Sequence, residues 1–295
     1  MIGGYPIELL ALQLFTGLAL GSVFVLLAVG LSLIFGLLTV VNFAHGAFYM
    51  LGAYAGVFFI GYLGNFWLTL AVVPVAVGAV GLAVERWLVR PLYGRGIDYP
   101  LMLTFGLAYV LVEVVRILFG AEGMPFDAPD VLMGAVDIGV GYFPAYRLFV
   151  IAATGVLVIG LWLFLERTSY GLVIRAGARD AEIVRVLGID ISRVWLLVFG
   201  LGTGVAGLAG VLSAPMRSVF PDMGTSVLVE AFVVTVVGGM GSLAGAVVAG
   251  LLVGIVVSMT SLFAPAMSEV SMFVLMAVVL LVRPQGLFGK KGLMG

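Results

Sequence analysis

The chain of 295 residues contains no cysteine and a single histidine, His45. Without cysteine it has neither a disulfide framework nor a thiolate site for metal or redox chemistry. One histidine without a nearby carboxylate also falls short of the ligand set of a zinc site. No nucleophile, base and orienting group fall together. We therefore predict no metal site and no catalytic residues, which makes an intramembrane enzyme a poor hypothesis.

Charge is scarce as well. Charged residues make up 10% of the chain and hydrophobic residues 63%, whereas a soluble domain carries roughly 25% charged residues. A membrane-spanning helix needs about 20 apolar residues. Long apolar segments occur at about 8–37, 46–64, 66–84, 100–119, 147–165, 195–214, 226–258 and 269–283. Barrel strands are shorter and alternate in polarity, so the sequence predicts an all-α, polytopic membrane protein with one domain over residues 1–295, surrounded by lipid and without a nucleic-acid partner.

The basic residues are concentrated in three regions. These regions are the loop with Arg86, Arg90 and Arg95, the loop 166–194, and the tail with Arg283, Lys290 and Lys291. By the positive-inside rule, all three are predicted to be cytoplasmic. The loop 120–146 carries four acidic residues and no base before Arg147. It is predicted to face outside.

Two apolar segments are interrupted by polar or glycine-rich residues. "VNFAHG" covers residues 41–46, and "GGMGS" covers residues 238–242. Irregular backbone at membrane depth is tolerated only where it is buried in protein or lines a wet cavity, so both breaks are predicted to line a translocation path. The residues assigned to this path are Asn42, His45, Gly46, Gly238, Gly239, Met240, Gly241 and Ser242. An equally open alternative is that Asn42 and His45 cap a helix end and hydrogen-bond to freed carbonyls.

The two ends of the chain resemble each other. "TVVNFAHGA" (39–47) resembles "TVVGGMGSL" (235–243), and "LVRP" occurs at 88–91 and again at 281–284. The matching order and spacing indicate an internal repeat, which is common in transporters with sites at broken helices. Because 226–237 is too short to span, we predict a re-entrant hairpin with its glycine break at membrane depth. The repeat predicts a second half-helix at 30–41 and a cytoplasmic amino terminus, whereas a count of crossings places that terminus outside.

Several motifs are read as structural. "GTGVAG" at 202–207 matches a dinucleotide pattern but lies inside an apolar segment, where that pattern has no such meaning. Glycines spaced four apart are predicted to let helices approach closely. These pairs are Gly17/Gly21, Gly52/Gly56, Gly200/Gly204, Gly241/Gly245 and Gly250/Gly254. Glu113 and Arg116 are predicted to form an ion pair, and Glu230 and Glu269, at segment starts, are expected at the membrane interface.

The loop 166–194 is long for a connection between helices and predicts a short amphipathic helix. Its apolar positions are Ile174, Ala178, Ala181, Ile183, Val184 and Leu187. Gly188 fits a helix C-cap. The polar face mixes acidic and basic residues, which favours docking into a groove on another protein over binding to lipid.

Four stretches in order carry a resemblance to a known family. "NFAHGAFYMLGAY", "RAGARDAEIVRVLGIDISRV", "VVGGMGSLAGAVVAG" and "LVRPQGLFG" resemble the permease of branched-chain amino-acid ABC importers in bacterial or archaeal plasma membranes. The resemblance implies a second homologous permease, two cytoplasmic ATPase subunits that carry ATP and Mg, and an extracytoplasmic substrate-binding protein. This chain has no P-loop motif, and we expect it to bind no cofactor.

The resemblance also implies that the loop helix is a coupling helix that contacts the ATPases. The residues assigned to coupling are Arg175, Arg179, Asp180, Ala181, Glu182, Gly188, Ile189 and Asp190. Urea and short-chain amide permeases share these motifs and stay open as alternatives. A stand-alone secondary transporter or channel is the alternative from a different class, because broken helices would serve it equally well.

Overall fold

The computed structural model describes residues 6–38 and 40–289; residues 1–5, Thr39 and residues 290–295, among them Lys290 and Lys291 of the basic tail, lie outside the described residues. The described part is almost entirely helical. The helices are α1 (Ile7–Leu38), α2 (His45–Leu63), α3 (Phe66–Val84), α4 (Asp98–Phe119), α5 (Ala145–Arg167), α6 (Ser169–Gly177), α7 (Ala181–Val186), α8 (Ile191–Ser213), α9 (Met223–Gly238), α10 (Leu243–Phe263) and α11 (Ser268–Val282). A short antiparallel hairpin of β1 (Ala135–Asp137) and β2 (Tyr142–Pro144) lies in the loop before α5.

Eight helices in the described ranges are long and apolar enough to cross a bilayer. They are α1 to α5, α8, α10 and α11, some of them extended by adjoining π or 3₁₀ turns. The predicted all-α, polytopic architecture is confirmed. Each predicted segment corresponds to one helix, except 226–258, which forms the short α9 and the spanning α10.

Helix α1 lies at the centre of one half of the bundle. Its sequence is apolar on every side, which is typical of a fully buried helix, and nearly all residues from Ala19 to Ile34 are buried. It packs antiparallel to α10, with Gly17 and Gly21 against Gly254 and Gly250. The predicted small-residue face is confirmed here, because the missing side chains allow the two backbones to touch.

Helix α8 is the centre of the other half. Gly207 lies against Gly52 of α2, whereas Gly200 and Gly204 lie against Gly78 and Pro74 of α3. The "GTGVAG" motif is therefore part of a helix–helix contact, as predicted.

The bundle has an acidic end and a basic end. At the acidic end, the loop 120–144 meets the link between α8 and α9 through a backbone bridge of Met124 with Val219. At the basic end, Gly177 of α6 packs against Leu37 at the end of α1. By the charge rule used above, the basic end is predicted to be cytoplasmic.

The first turns of α1 lie at the acidic end. The ring of Phe15 lies 5.8 Å from that of Phe143 between centroids, and Arg147 Nη1 donates to Thr16 Oγ1 at 3.4 Å. The start of α1 thus lies at the end that the count of crossings assigns to it, while the side of the membrane on which that end lies stays a prediction. The prediction of a separate half-helix at 30–41 is wrong, because α1 runs without a break from Ile7 to Leu38. Its glycines do not interrupt it, since they pack against other helices.

The two copies of the repeat share an order of helix, break, helix, helix and "LVRP", but their breaks differ. After Leu38 the chain returns along α1, so that α2 begins beside Leu27, which is about 16 Å back along the helix. The second break is a tight turn between α9 and α10, with Gly239 and Gly241 at positive φ of 97° and 80°. Glycine is the residue that adopts this conformation without strain.

Candidate translocation path and coupling surface

Asn42 lies at the start of α2 and is completely buried. Its side-chain Oδ1 accepts from the backbone N–H of Ala44 at 3.1 Å, and its own carbonyl accepts from the N–H of His45 at 3.1 Å. The side-chain Nδ2 has no hydrogen-bond partner in the described part of the chain. Asn42 therefore stabilises the turn that precedes α2, whose N-cap is Ala44.

His45 is also completely buried. Its Nε2 lies 3.0 Å from the carbonyl oxygen of Leu27, and because a carbonyl only accepts, Nε2 is the protonated nitrogen. The ring also lies against Gly30. These contacts join α2 to the middle of α1. The start of α2 has no side-chain cap hydrogen bond, and Leu27 is not at a helix end, so the contacts differ from the capping alternative; the assignment of both residues to the path stays a prediction.

Gly46 brings α2 against α9. A side chain at Gly46 would clash with the carbonyl of Gly224, so only glycine permits this approach. Beside this contact, Phe43 packs against Phe232 of α9 and Phe105 of α4, with ring centroids 5.3 and 6.1 Å apart. The ring of Phe43, which belongs to the first break, thus contacts one aromatic ring of α4 and one of α9.

Thr104 of α4 holds the first break in place and was not identified from the sequence. Its Oγ1 accepts from the N–H of Phe43 at 3.1 Å, and the side chain is completely buried. No local pattern could have indicated it, because 61 residues separate the two partners.

The second break lies level with the end of α11. The carbonyls of Val237 and Gly238 accept from Leu287 and Phe288, which follow that helix. Ser242 caps α10 by accepting from the N–H of Gly245. Met240 is partly exposed and Gly241 exposed. The two breaks are not brought together, since His45 lies beside Leu27 and Gly241 beside Gly36 of the same helix.

The loop 166–194 forms two short helices, α6 and α7, so the single amphipathic helix predicted across it is wrong. Asp180 lies between them and is the N-cap of α7. Its side chain accepts hydrogen bonds from the N–H groups of Glu182 and Ile183, which starts a new helix. Gly188, with φ of 81°, ends α7 as predicted.

The residues assigned to coupling lie on α6, on α7 and on the segments that flank α7. Arg175 donates to the carboxylate of Glu166 at 2.6 Å and to the carbonyl of Leu165, which ties α6 to α5. Arg179 is exposed, and Ala181 and Glu182 form the first turn of α7. Asp190 follows Ile189 and caps α8 by accepting from Ser192.

Helix α7 presents apolar side chains outward. Val184 is buried against the bundle, whereas Ile183, Val186 and Leu187 are exposed by 59%, 86% and 72%. Exposed apolar side chains of this kind are typical of docking surfaces, so the docking role predicted for this loop stays a prediction. We name Ile183, Val186 and Leu187 the α7 surface.

A buried ion pair lies next to this surface. Glu85, completely buried, accepts from Arg90 at 2.9 Å, and Arg90 also donates to the carbonyl of Ser192 at the start of α8. Tyr93 donates to Glu85 at 3.2 Å. Burial and the adjacent Glu85 carboxylate raise the pKa of the Tyr93 phenol above its usual range, so Tyr93 remains a donor. The group connects α3 to α8.

Further charged groups lie toward the acidic end. The predicted Glu113–Arg116 pair is present at 2.8 Å, and Arg116 also reaches Asp222 at 3.1 Å. Glu230 was predicted to lie at the start of a segment. This prediction is wrong, because α9 begins seven residues earlier. Its side chain is 19% exposed and lies 3.8 Å from that of Arg217.

Comparison with known proteins shows which family this chain belongs to. Residues 13–283 match the family described as "Branched-chain amino acid transport system / permease component". The chain is 31% identical to the high-affinity branched-chain amino acid transport system permease protein BraD of Pseudomonas aeruginosa, over 94% of this chain and 95% of BraD. It is 30% identical to the corresponding protein LivH of Escherichia coli, with the same coverage.

A second type of permease protein matches as well. The high-affinity branched-chain amino acid transport system permease protein LivM of Escherichia coli is 27% identical over 91% of this chain and 68% of LivM. The match to this family covers nearly all of the spanning helices, both breaks and the α6–α7 loop. This chain is therefore a multi-pass membrane protein that belongs to the permease-component family of branched-chain amino acid transport systems.

Proposed function

We propose that this chain is one of two homologous subunits that form the pore of an ATP-driven importer of branched-chain amino acids. Two cytoplasmic ATPase subunits bind ATP and Mg, and an extracytoplasmic protein supplies the substrate, in the plasma membrane of a bacterium or archaeon. The family match supports the substrate class, and the similarity to both LivH and LivM supports a pair of related permeases.

The α7 surface is the observation that supports coupling to ATPases. Three exposed apolar side chains lie on the short helix α7 and at the residue that follows it, at the basic end. Such a surface fits a groove on a partner protein, which would bury the apolar face. A stand-alone secondary transporter has no use for this surface.

Motion of α7 would reach the pore through short connections. Arg175 ties α6 to the end of α5, and the chain passes from Gly188 through the capping residue Asp190 directly into α8. Arg90 ties the start of α8 to α3. Because α8 contacts α2 and α3 closely along glycine faces, a push on α7 would be passed on to both helices.

The two breaks complete the proposed path. Asn42, His45 and Gly46 lie where α2 meets α9, and Gly238 to Ser242 lie toward the basic end. Uncharged side chains and exposed carbonyls suffice for brief contact with an amino acid. Selectivity then rests with the binding protein, and the path changes between an outward-open and an inward-open form.

The test is affinity purification of the tagged chain from its native membrane, followed by mass spectrometry of the proteins that accompany it. We expect a second permease and two P-loop ATPases. Val186→Asp, a change at the α7 surface, should lose the ATPases and keep the second permease. Val136→Asp is the matched control, since Val136 is exposed at the acidic end; it should keep all partners.

Two outcomes would contradict the proposal. One is recovery of the chain alone, or as a homo-oligomer, from extracts in which a known ABC complex survives. The other is leucine uptake that continues without ATP and stops when the proton gradient is removed. Either result would favour a secondary transporter or channel.

A further inference from the structure

Arg217 and Glu230 lie close together without bonding fully to each other. The nearest side-chain atoms, Nη1 and Oε2, are 3.8 Å apart, which is too far for a hydrogen bond. Within residues 6–38 and 40–289, neither the guanidinium nor the carboxylate has any hydrogen-bond partner, and Oε2 of Glu230 is fully shielded. Two strong hydrogen-bonding groups in a membrane protein are thus left with free capacity.

The pair lies beside an exposed face of α9. Glu230 is seven residues into that helix, about 10 Å from its start at the acidic end. Asp222, Thr225, Ser226 and Val229 recur at helical intervals and are all exposed. One turn deeper on this face, Val233 is 3% exposed. The face is therefore open at the acidic end and closed below.

This exposed face is unsuited to contact with lipid. In a bilayer, charged side chains turn toward the protein interior or toward a water-filled cavity. Asp222 and the pair of Arg217 with Glu230 place three charged groups on or beside this face of an otherwise apolar helix. The face therefore borders water or another subunit.

An amino acid offers the charges that such a pair lacks. Its carboxylate matches a guanidinium, which binds carboxylates with two parallel hydrogen bonds, and its ammonium group matches the carboxylate of Glu230. When the substrate binds, the ion pair between Arg217 and Glu230 is replaced by one contact of each residue with the amino acid. The net charge of the site stays zero. The pair can close again once the substrate has moved on, which suits transient binding along a path.

We propose that Arg217 and Glu230 form a binding site for the carboxylate and ammonium groups of the substrate amino acid, in the outer half of the translocation path. This inference rests on the proposed function. In this proposal, Arg217 and Glu230 recognise the two charged groups that every amino acid carries. The exposed face of α9 then faces the water-filled path.

The first test measures ATP-dependent leucine uptake by the complete complex. Glu230→Gln and Arg217→Gln should each lower uptake at least tenfold while the complex still assembles. Glu113→Gln is the matched control, because Glu113 also forms an ion pair near the acidic end but is 57% exposed; it should stay within twofold of the wild type. Normal uptake by Glu230→Gln would overturn the inference.

A double variant separates recognition from a structural ion pair. Arg217→Glu combined with Glu230→Arg preserves the pair but exchanges the two positions along the path. We expect uptake to remain at least tenfold reduced. Recovery of uptake would show a purely structural pair and overturn the inference.

The second test uses the lack of cysteine in this chain. In the assembled complex, Ser226→Cys should react with a membrane-impermeant, positively charged thiol reagent, and leucine should slow that reaction at least threefold in the presence of the binding protein. Tyr142→Cys, exposed in the loop at the acidic end, is the control, and leucine should not change its rate. An unreactive Ser226→Cys, as expected for a face covered by the second permease, or one indifferent to leucine, would overturn the inference.

The two proposals fail in distinguishable ways. If the wild-type complex shows no ATP-dependent leucine uptake, the proposed function fails. If the wild type transports leucine and the Arg217 and Glu230 variants do as well, only the present inference fails.

Discussion

Single glycines determine how closely the helices of this protein approach. Gly52 and Gly61 both belong to α2, but a side chain at Gly52 would clash with the backbone of Gly207, whereas none would meet anything at Gly61. The same residue type thus allows close packing at one position and weakens the helix at the other. The sequence shows both as glycine and does not distinguish them.

We predict opposite effects of the same substitution at these two positions. Gly52→Ala should destabilise the solubilised protein by about 1–3 kcal/mol, because backbone cannot yield as a flexible side chain does. Gly61→Ala should be neutral or stabilise by up to about 1 kcal/mol, because alanine favours the helix. Thermal unfolding in detergent checks both. Equal melting temperatures for the two variants would contradict the packing described here.

His45 allows a second prediction at this scale. Its ring is buried and donates to Leu27, so His45→Leu removes one hydrogen bond without changing the burial of the site. If His45 belongs to the path, as proposed, leucine uptake should fall at least tenfold while the second permease still co-purifies. Loss of that partner instead would favour the capping alternative.

At the scale of elements, the loop 166–194 shows how a local cap changes a helix. The apolar spacing predicted one helix, yet Asp180 starts a new one because its carboxylate accepts from two N–H groups. The helix that begins at this cap carries the exposed Ile183 and Val186, and the exposed Leu187 follows it. The capping residue and the residues proposed to dock are therefore different parts of one short segment.

We predict that Asp180 supports coupling mainly through its capping hydrogen bonds and less through its negative charge. Asp180→Ala removes the acceptor and should destabilise the start of α7 by about 0.5–2 kcal/mol. Asp180→Asn keeps an acceptor and removes the charge. The ratio of leucine transported to ATP hydrolysed should fall for Asp180→Ala and stay near the wild-type value for Asp180→Asn. A fall in both variants would assign the effect to the charge.

For the whole molecule, the separation of acidic and basic ends predicts its orientation. Because this chain has no cysteine, each introduced thiol is the only one in it. In intact cells, an impermeant maleimide should label Glu8→Cys and Tyr142→Cys, which lie exposed at the acidic end. Val186→Cys should be labelled only after the membrane is permeabilised. Labelling of Val186→Cys in intact cells would reverse the orientation.

Much of the fold was predictable from local features. Apolar runs predicted seven of the eight spans within a few residues, and "GGMGS" predicted the turn that divides the segment 226–258 into α9 and the spanning α10. The candidate site was less predictable. Thr104, the aromatic contacts of Phe43 and the pair of Arg217 with Glu230 join distant segments, and no spacing along the chain indicates such partners. The prediction of a half-helix at 30–41 was wrong, because two similar sequences in a repeat need not interrupt their helices at the same place.

The sequence by itself determined the class of protein, the number of spanning segments and the distribution of charge, because hydrophobic length and net charge are properties of short stretches. Only the tertiary structure decided which spans are central. Helices α1 and α5 are equally apolar, yet 83% of the most apolar part of α1 is buried and 17% of that part of α5. In a membrane, apolar side chains suit both lipid and protein neighbours. Burial therefore depends on which glycine faces meet, and that is settled by contacts between distant parts of the chain.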